Sequence, residues 1–337
     1  MDIHAFCSEE FLVHLSETST IDLLELDTFQ EQIAKVKLFD LLRNGVKVHY
    51  YLKDSDVINP YIKSLIKKGS SSSLSEKDYL QLKEKPAEFI ATKGCNNSLF
   101  LLADDQSSNL NQLEANYGYH CINHKNYNSI FKERIQLFEK KSERSNWRIA
   151  REYLDPHNSL LIVDPYLFTR NGFPPFLDFL NNVIPTKLKS SYHLSIIANK
   201  EIPVSGINIT EAENALYNLL SNKNVDFSFE VHLFDYVPKG VDRYTFSHPS
   251  PQDFHDRYII SNNVIIFSGR GLDYIRNNQE NYDGTWLIYK PFSKITLEKE
   301  SAFFTRVIEK KLKGFKRWIK QSDYTTCNNP LIACYTN

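Results

Sequence analysis

The stretch that decides the fold of this chain is residues 255–274, which read HDRYIISNNVIIFSGRGLDY. Two runs of branched and aromatic residues, Tyr258–Ile260 and Val264–Phe267, lie on either side of the turn-forming pair Asn262-Asn263. Such runs favour strands, and asparagine favours tight turns. The stretch therefore predicts a β-hairpin, with HDR before its first strand and GRGLDY after its second strand.

His255 and Arg257 are the chemically informative residues before the hairpin. Side chains two apart on a strand point to the same face, so an imidazole would lie beside a guanidinium. The guanidinium can bind a phosphate through two parallel hydrogen bonds, and a neutral imidazole can attack phosphorus or relay a proton. Asp256 would point the other way and fix its neighbours. In isolation, a triplet of this size more often contains a structural histidine and a surface arginine.

The residues around the hairpin predict an α/β lobe. Leu160–Val163, Tyr192–Ala198 and Phe227–Phe234 have strand patterns, and Glu211–Leu220 has a helical pattern. Asp164 follows the first of these strands. The carboxyl ends of strands form the site in open α/β sheets, so we expect Asp164 to orient His255 or Arg257. The alternative is a turn aspartate before Pro165.

Residues 1–125 predict a separate, smaller Rossmann-like α/β domain. Phe29–Asn44 has helical spacing, and Val46–Leu52 has the composition of a strand. Gly69 and the serines at 70–73 predict a flexible break. Two further short strands are expected at Ser98–Ala103 and at Tyr119–Ile122.

The remaining segments complete the predicted domain organisation. Residues 126–154 predict a helical connector with Phe131, Ile135 and Phe138 on one stripe. Residues 155–320 form the second lobe, which includes a strand at Trp286–Tyr289, and residues 321–337 form a tail. The lobe is expected to end in a basic helix over 296–320. Five of its cations can contact a phosphate backbone or an anionic membrane: Lys310, Lys311, Lys313, Lys316 and Arg317. The alternative, which is the commoner case, is a solvated helix face.

The hairpin stretch resembles the phospholipase D superfamily signature, His-x-Lys-x4-Asp-x6-Gly-Ser-x-x-Asn. His255 and Gly269 match it, while the other signature positions are altered at unchanged spacing: Arg257 for Lys, Asn262 for Asp, Arg270 for Ser and Asp273 for Asn. The resemblance implies that His255 is the catalytic nucleophile, and we predict that Asp164 and Asp256 assist it. The predicted phosphate-binding residues are Arg257, Arg270, Asn262 and Asp273. Arg270 stands between two glycines, which allow a close backbone approach to a phosphate, the alternative being an exposed loop charge.

HDR followed by GRGLDY is also similar to the C-terminal phospholipase D-like domain of MIT-domain proteins that bind ESCRT-III. The similarity covers residues 155–315 and leaves the first half unrecognised. It implies a dimerising, non-catalytic binder of membrane phosphoinositides. Bacterial proteins of the same fold are often nucleases, some of them used against phage.

Catalysis in this superfamily uses two His-Lys half-sites, and this chain has one good half-site. His124-Lys125 and the pair His49 and Lys53 lack the spacing. A metal-independent phosphodiesterase or nuclease would therefore require a homodimer with two His255 side chains at its two-fold axis. The preferred prediction is a phosphate-binding protein whose ligand is nucleic acid, as part of a bacterial defence system. An anionic-lipid binder, or an interaction module whose partner docks on residues 1–125, is the alternative.

The composition of the chain narrows the possible classes of function and site. The net charge of -1 excludes a generally basic nucleic-acid binder, so a polyanion site has to be a local patch. Five scattered cysteines without a CxxC pair predict neither a zinc site nor a disulfide scaffold. No cofactor or metal is expected. The sequence shows neither a leader-like start nor a long apolar run, which predicts a cytoplasmic protein.

Overall fold

The computed structural model describes the chain in segments that form two compact units. The first comprises Met1–Lys132 with Pro291–Glu300, and the second comprises Glu133–Lys290 with Ser301–Asn337. Each unit contains a sheet flanked by helices, so the predicted α/β class is confirmed. The described residues are 4–16, 26–44, 46–53, 60–66, 71–93, 98–101, 107–123, 125–127, 134–138, 148–164, 167–170, 172–199, 207–234, 257–262, 264–268, 285–291 and 317–320.

The first unit alternates strands and helices. Its described elements are β1 (His4–Cys7), α1 (Glu9–Ser16), α2 (Leu26–Asn44), β2 (Lys47–Tyr50), α3 (Pro60–Ile66), β3 (Ser71–Ser73), α4 (Glu76–Glu84), α5 (Pro86–Lys93), β4 (Ser98–Leu101), α6 (Ser107–Tyr117) and β5 (His120–Ile122).

The strands of the first unit form a five-stranded parallel sheet in the order β3-β2-β1-β4-β5. The helix predicted from Phe29 and the strands predicted around Val48, Phe100 and Cys121 are confirmed. The flexible break predicted at serines 70–73 is wrong for Ser71–Ser73, which pair with β2 as an edge strand. Backbone pairing with β2 and the contact between the Ser72 hydroxyl and His49 outweigh the weak strand preference of serine there.

The second unit contains one large mixed sheet and three described helices. Its elements are β6 (Arg134–Phe138), α7 (Arg148–Leu154), β7 (Ser159–Val163), α8 (Phe173–Val183), β8 (Tyr192–Asn199), α9 (Ile209–Ser221), β9 (Phe227–Phe234), β10 (Arg257–Ser261), β11 (Val264–Ser268), β12 (Thr285–Pro291) and β13 (Arg317–Lys320).

The strand order in this sheet is β13-β9-β8-β7-β10-β11-β12-β6. β7, β8 and β9 are parallel to one another. β10 pairs antiparallel with β7, and β13 pairs antiparallel with β9. The predicted hairpin is confirmed, because β10 and β11 pair antiparallel through Tyr258 and Phe267. The predicted strands β7, β8, β9 and β12 and the predicted helix α9 are confirmed as well.

Two predictions of helix are wrong. Residues 134–138 belong to β6 and pair with β12, so the connector over 126–154 is not helical throughout. Their sequence RIQLF begins with polar and apolar residues in alternation, the period of a strand. The helix predicted over 296–320 is wrong for Arg317–Lys320, which form β13 at the sheet edge. Adjacent tryptophan and isoleucine favour a strand, and flanking basic residues are common on edge strands.

Helices α8 and α9 cover one face of the second sheet. In α8 the buried residues Phe176, Phe179, Leu180 and Val183 follow helical spacing, and prolines stand in its first turn, where no hydrogen-bonding N–H is needed. These residues join Leu194, Ile196, Phe227 and Phe229 of the strands in one core. Within the described residues, none of the helices has the length and apolarity needed to cross a membrane.

Candidate phosphate-binding site

Arg257 and Asp164 meet at the carboxyl end of β7. Because β10 runs antiparallel to β7 with Tyr258 opposite Val163, the next residues at this edge are Arg257 and Asp164. Arg257 Nε lies 3.5 Å from Asp164 Oδ1, and the two side chains are 17% and 6% exposed, respectively. The structure thus brings the predicted orienting carboxylate to the arginine of the HDR motif.

The backbone holds Asp164 firmly in this position. The Asp164 N–H donates to the carbonyl of Ile197 at 3.0 Å, which extends the pairing of β7 with β8 by one residue. Every residue of β7 is buried, and Asp164 itself is buried at the end of the strand. A buried carboxylate is costly unless a cation accompanies it, and Arg257 is such a cation.

The strand order reverses at β7, and this is the usual place for a ligand in an open α/β sheet. The chain passes from β7 to β8 to β9 in one direction, and then returns to the other side of β7 as β10. Asp164 and Arg257 lie on the two strands that flank this reversal. The position of the pair in the topology, as well as its charge, marks it as the candidate site.

Several residues predicted for this site lie outside the described residues. They include His255, Asp256, Arg270, Asp273 and four lysines of the basic segment, Lys310, Lys311, Lys313 and Lys316. Arg317 is described in its backbone, as the first residue of β13 opposite Val231 of β9. Since β13 is antiparallel to β9, it also begins near the carboxyl edge of the parallel strands.

The structure does not bring Asn262 to Arg257. Asn262 follows the other end of β10, where its Oδ1 accepts hydrogen bonds from the N–H groups of Asn158 and Ser159 at 2.9 and 3.0 Å. Its Nδ2 donates to Asn158 Oδ1 at 3.0 Å. Five residues of strand separate the rows of Ser159 and Asp164, or about 17 Å at ~3.3 Å per residue. The expectation that Asn262 shares a phosphate with Arg257 is therefore corrected: its amide joins the hairpin turn to the start of β7.

A second ion-paired group lies near the amino end of β7. Asp155 contacts Arg151 Nε at 2.9 Å and His157 Nδ1 at 3.1 Å. Burial raises the pKa of the Asp155 carboxyl, but the hydrogen bonds and charges of His157 and Arg151 outweigh burial and leave the pKa below its usual value. His157 is fully buried, which suits a structural role. This group supplies an arginine–aspartate pair at the opposite end of the strand from the candidate site.

Sequence reasoning missed a polar row on the sheet face opposite the α8–α9 core. Ser195 donates to Glu230 at 3.0 Å, and His193 lies 2.8 Å from the hydroxyl of Ser228. Burial lowers the pKa of His193 to about 4, although the charge of Glu230 acts to raise it. The alternation of polar residues in β9 was the available signal, since Ser228 and Glu230 are two apart.

No protein-family model matches the chain, and no curated protein matches it. Within the described part of the chain, no group of three or more histidine, cysteine or acidic side chains is arranged to hold a metal ion. Two of the cysteines, Cys7 and Cys121, are buried and belong to no disulfide.

Proposed function

We propose that residues 155–320 form a phospholipase D-like lobe that binds phosphate groups of a nucleic acid along the carboxyl edge of β7, β8 and β9. The observation that carries the proposal is the placement of two arginines. Arg257 and Arg317 each begin an antiparallel strand at this edge, one on either side of the parallel trio. The resemblance of the hairpin stretch to the phospholipase D signature supports the same ligand chemistry.

Arg257 is suited to the central contact. A guanidinium carries five N–H donors in a planar fork that matches a phosphate, and Asp164 approaches it at the Nε atom. The carboxylate restricts the orientation of the guanidinium and offsets the cost of its partial burial. His255 is two residues from Arg257 in the sequence, and Arg270 is two residues from Ser268, the strand partner of Arg257. Two residues of chain span at most about 7 Å, so both belong to this site in the proposal.

The spacing of the arginines favours a polymer over a single head group. β13 and β10 are four strand positions apart, or about 19 Å at ~4.8 Å per spacing. One lipid phosphate cannot contact both strands. A nucleic-acid strand carries a charge about every 3.4 Å of helix rise, so about six successive phosphates cover this distance. Four lysines of residues 310–316 precede Arg317 closely in the sequence, and in the proposal they add charge to this path.

The test compares arginines at the two ends of the sheet. Arg257→Ala and Arg317→Ala are expected to weaken binding of labelled single-stranded DNA and RNA, Arg257→Ala by about tenfold or more because a charge-assisted contact is lost. Arg151→Ala is the matched control, since it removes an aspartate-paired arginine from the amino end of β7. Arg257→Lys keeps the charge beside buried Asp164, and we expect it to bind more weakly than wild type because it lacks the planar fork.

The same variants separate the alternatives. If only binding to phosphoinositide vesicles weakens in Arg257→Ala, the ligand is an anionic lipid. If Arg257→Ala and Arg257→Lys, both folded, bind DNA, RNA and vesicles as wild type does, the site is rejected. A loss in Arg317→Ala without a loss in the Arg257 variants would move the binding surface away from the HDR motif.

A further inference from the structure

Three polar side chains form a hydrogen-bonded chain across the first sheet, far in sequence from the HDR motif. Ser72 Oγ lies 2.6 Å from His49 Nδ1, and His49 Nε2 lies 2.9 Å from His4 Nδ1. The residues come from β3, β2 and β1, and the register sets His49 opposite both Ser72 and Phe6. The order is therefore a hydroxyl, an imidazole and a second polar group on the far side of that imidazole.

Ring packing fixes the central histidine. The rings of His49 and His4 are parallel to within 3° at 5.1 Å, and Phe6 stacks on His49 at 4.8 Å. Ser72 is exposed on the edge strand, so a solute can reach its hydroxyl, while His49 is half-buried behind it. A nucleophile in reach of a base, with the base oriented by a third group, is the arrangement that activates a serine.

The protonation state of His49 fits this arrangement. Burial, together with the smaller effects of the charges of His4, Lys93 and Lys47, lowers its pKa to about 4. These groups belong to β1, α5 and β2, and Asp78 of α4 pairs with Lys93 at 3.5 Å. At neutral pH the ring carries one N–H. If Nε2 donates to His4, Nδ1 accepts the hydroxyl proton of Ser72.

We propose that Ser72 is a nucleophile toward carboxylic esters, with His49 as its base and His4 as a positioning residue. The Ser72 oxygen bonds to the carbonyl carbon, the bond to the alcohol oxygen breaks, and the hydroxyl proton passes through His49 to the leaving alkoxide. Water then attacks the acyl-serine, transfers its proton through His49 to the Ser72 oxygen and releases the carboxylic acid. This activity is independent of the proposed nucleic-acid site.

The experiment treats the full chain with p-nitrophenyl acetate and maps acetylated peptides by mass spectrometry after rapid quenching. We expect acetyl transfer to Ser72, and a rate at least about a hundredfold lower in His49→Phe, the lower limit for loss of a general base. His4→Phe is expected to slow transfer about fivefold, the worth of one neutral hydrogen bond, and His4→Asn to restore much of the rate with its amide oxygen. Ser73→Ala is the control, because Ser73 is exposed on the same strand and its hydroxyl contacts the Leu74 carbonyl.

The pH profile of the wild-type protein provides a readout independent of any substitution. The rate of acetyl transfer to Ser72 should rise through pH 4 and level off above about pH 6, as His49 loses its proton, with circular dichroism confirming the fold at each pH. Absence of acetyl-Ser72 would overturn the proposal. Acetylation spread over serines and lysines at rates indifferent to His49→Phe would overturn it as well, as would a profile without an inflection near pH 4.

Discussion

Asn262→Ala is the substitution for which the structure gives the most definite expectation. The Asn262 side chain joins the β10–β11 turn by three hydrogen bonds to Ser159, the first residue of β7, and to Asn158 before it. All three residues involved, Asn158, Ser159 and Asn262, are at most 5% exposed. Alanine removes the acceptor and the donor together, and water has little access to replace them.

The size of the effect follows from the two backbone groups that lose their acceptor. An unsatisfied buried N–H costs about 1–3 kcal/mol, so the N–H groups of Asn158 and Ser159 together correspond to about 2–6 kcal/mol. Asn262→Asp should also destabilise the fold, because its carboxylate still accepts both hydrogen bonds but loses the Nδ2 donation and places a charge at a buried position. The binding of nucleic acid by folded Asn262→Ala should equal that of wild type, since the substitution lies about 17 Å from Arg257.

The assay is urea unfolding followed by tryptophan fluorescence. All three tryptophans, Trp147, Trp286 and Trp318, belong to the second unit, so the signal reports on that unit. Asn182→Ala is the control: its amide donates to Asp178 of the same helix at an exposed site, and we expect a change of about 0.5 kcal/mol or less. Equal free energies of unfolding for Asn262→Ala and Asn182→Ala would refute the reasoning.

Two further predictions concern acid and catalysis. Burial lowers the pKa of His193 to about 4 from an ordinary 6.5. Between pH 4 and pH 6.5, the unfolded chain therefore binds a proton at His193 that the folded chain does not bind. The free energy of unfolding of the second unit should therefore fall as the pH falls from about 6.5 to 4, and His193→Gln should reduce this dependence; an unchanged pH dependence in the variant would contradict the assignment. For catalysis, we expect no cleavage of labelled DNA or RNA in excess EDTA; cleavage that survives EDTA and disappears in His255→Ala would instead establish a phosphodiesterase.

The elements with the strongest sequence signals were predicted well. Continuous apolar runs located β7 and the hairpin, and helical spacing located α2 and α9. Short elements carry too few residues for a period to appear, and their structure depends on partners distant in sequence. β3 is a strand because β2 lies beside it, and β6 is a strand because β12 lies beside it.

The candidate site was predictable in part. The rule that ligands bind at the carboxyl ends of strands selected Asp164, and the structure places it beside Arg257. Asn262 was misplaced because linear spacing within a motif says nothing of direction. Five residues of strand carry the chain from one end of the sheet to the other, where Asn262 meets residues more than a hundred positions away.

The salt dependence of DNA binding tests the central claim most directly. Each phosphate contact releases counterions, so the slope of log K against log salt concentration counts the contacts. Wild type, Arg257→Lys, Arg257→Ala and Arg151→Ala are to be titrated with single-stranded DNA over the same salt range. We predict that the magnitude of this slope is smaller by about one in Arg257→Ala than in wild type, while the slope of Arg151→Ala is unchanged. Equal slopes for wild type and folded Arg257→Ala, or a decrease in Arg151→Ala alone, would contradict the phosphate site at the carboxyl end of β7.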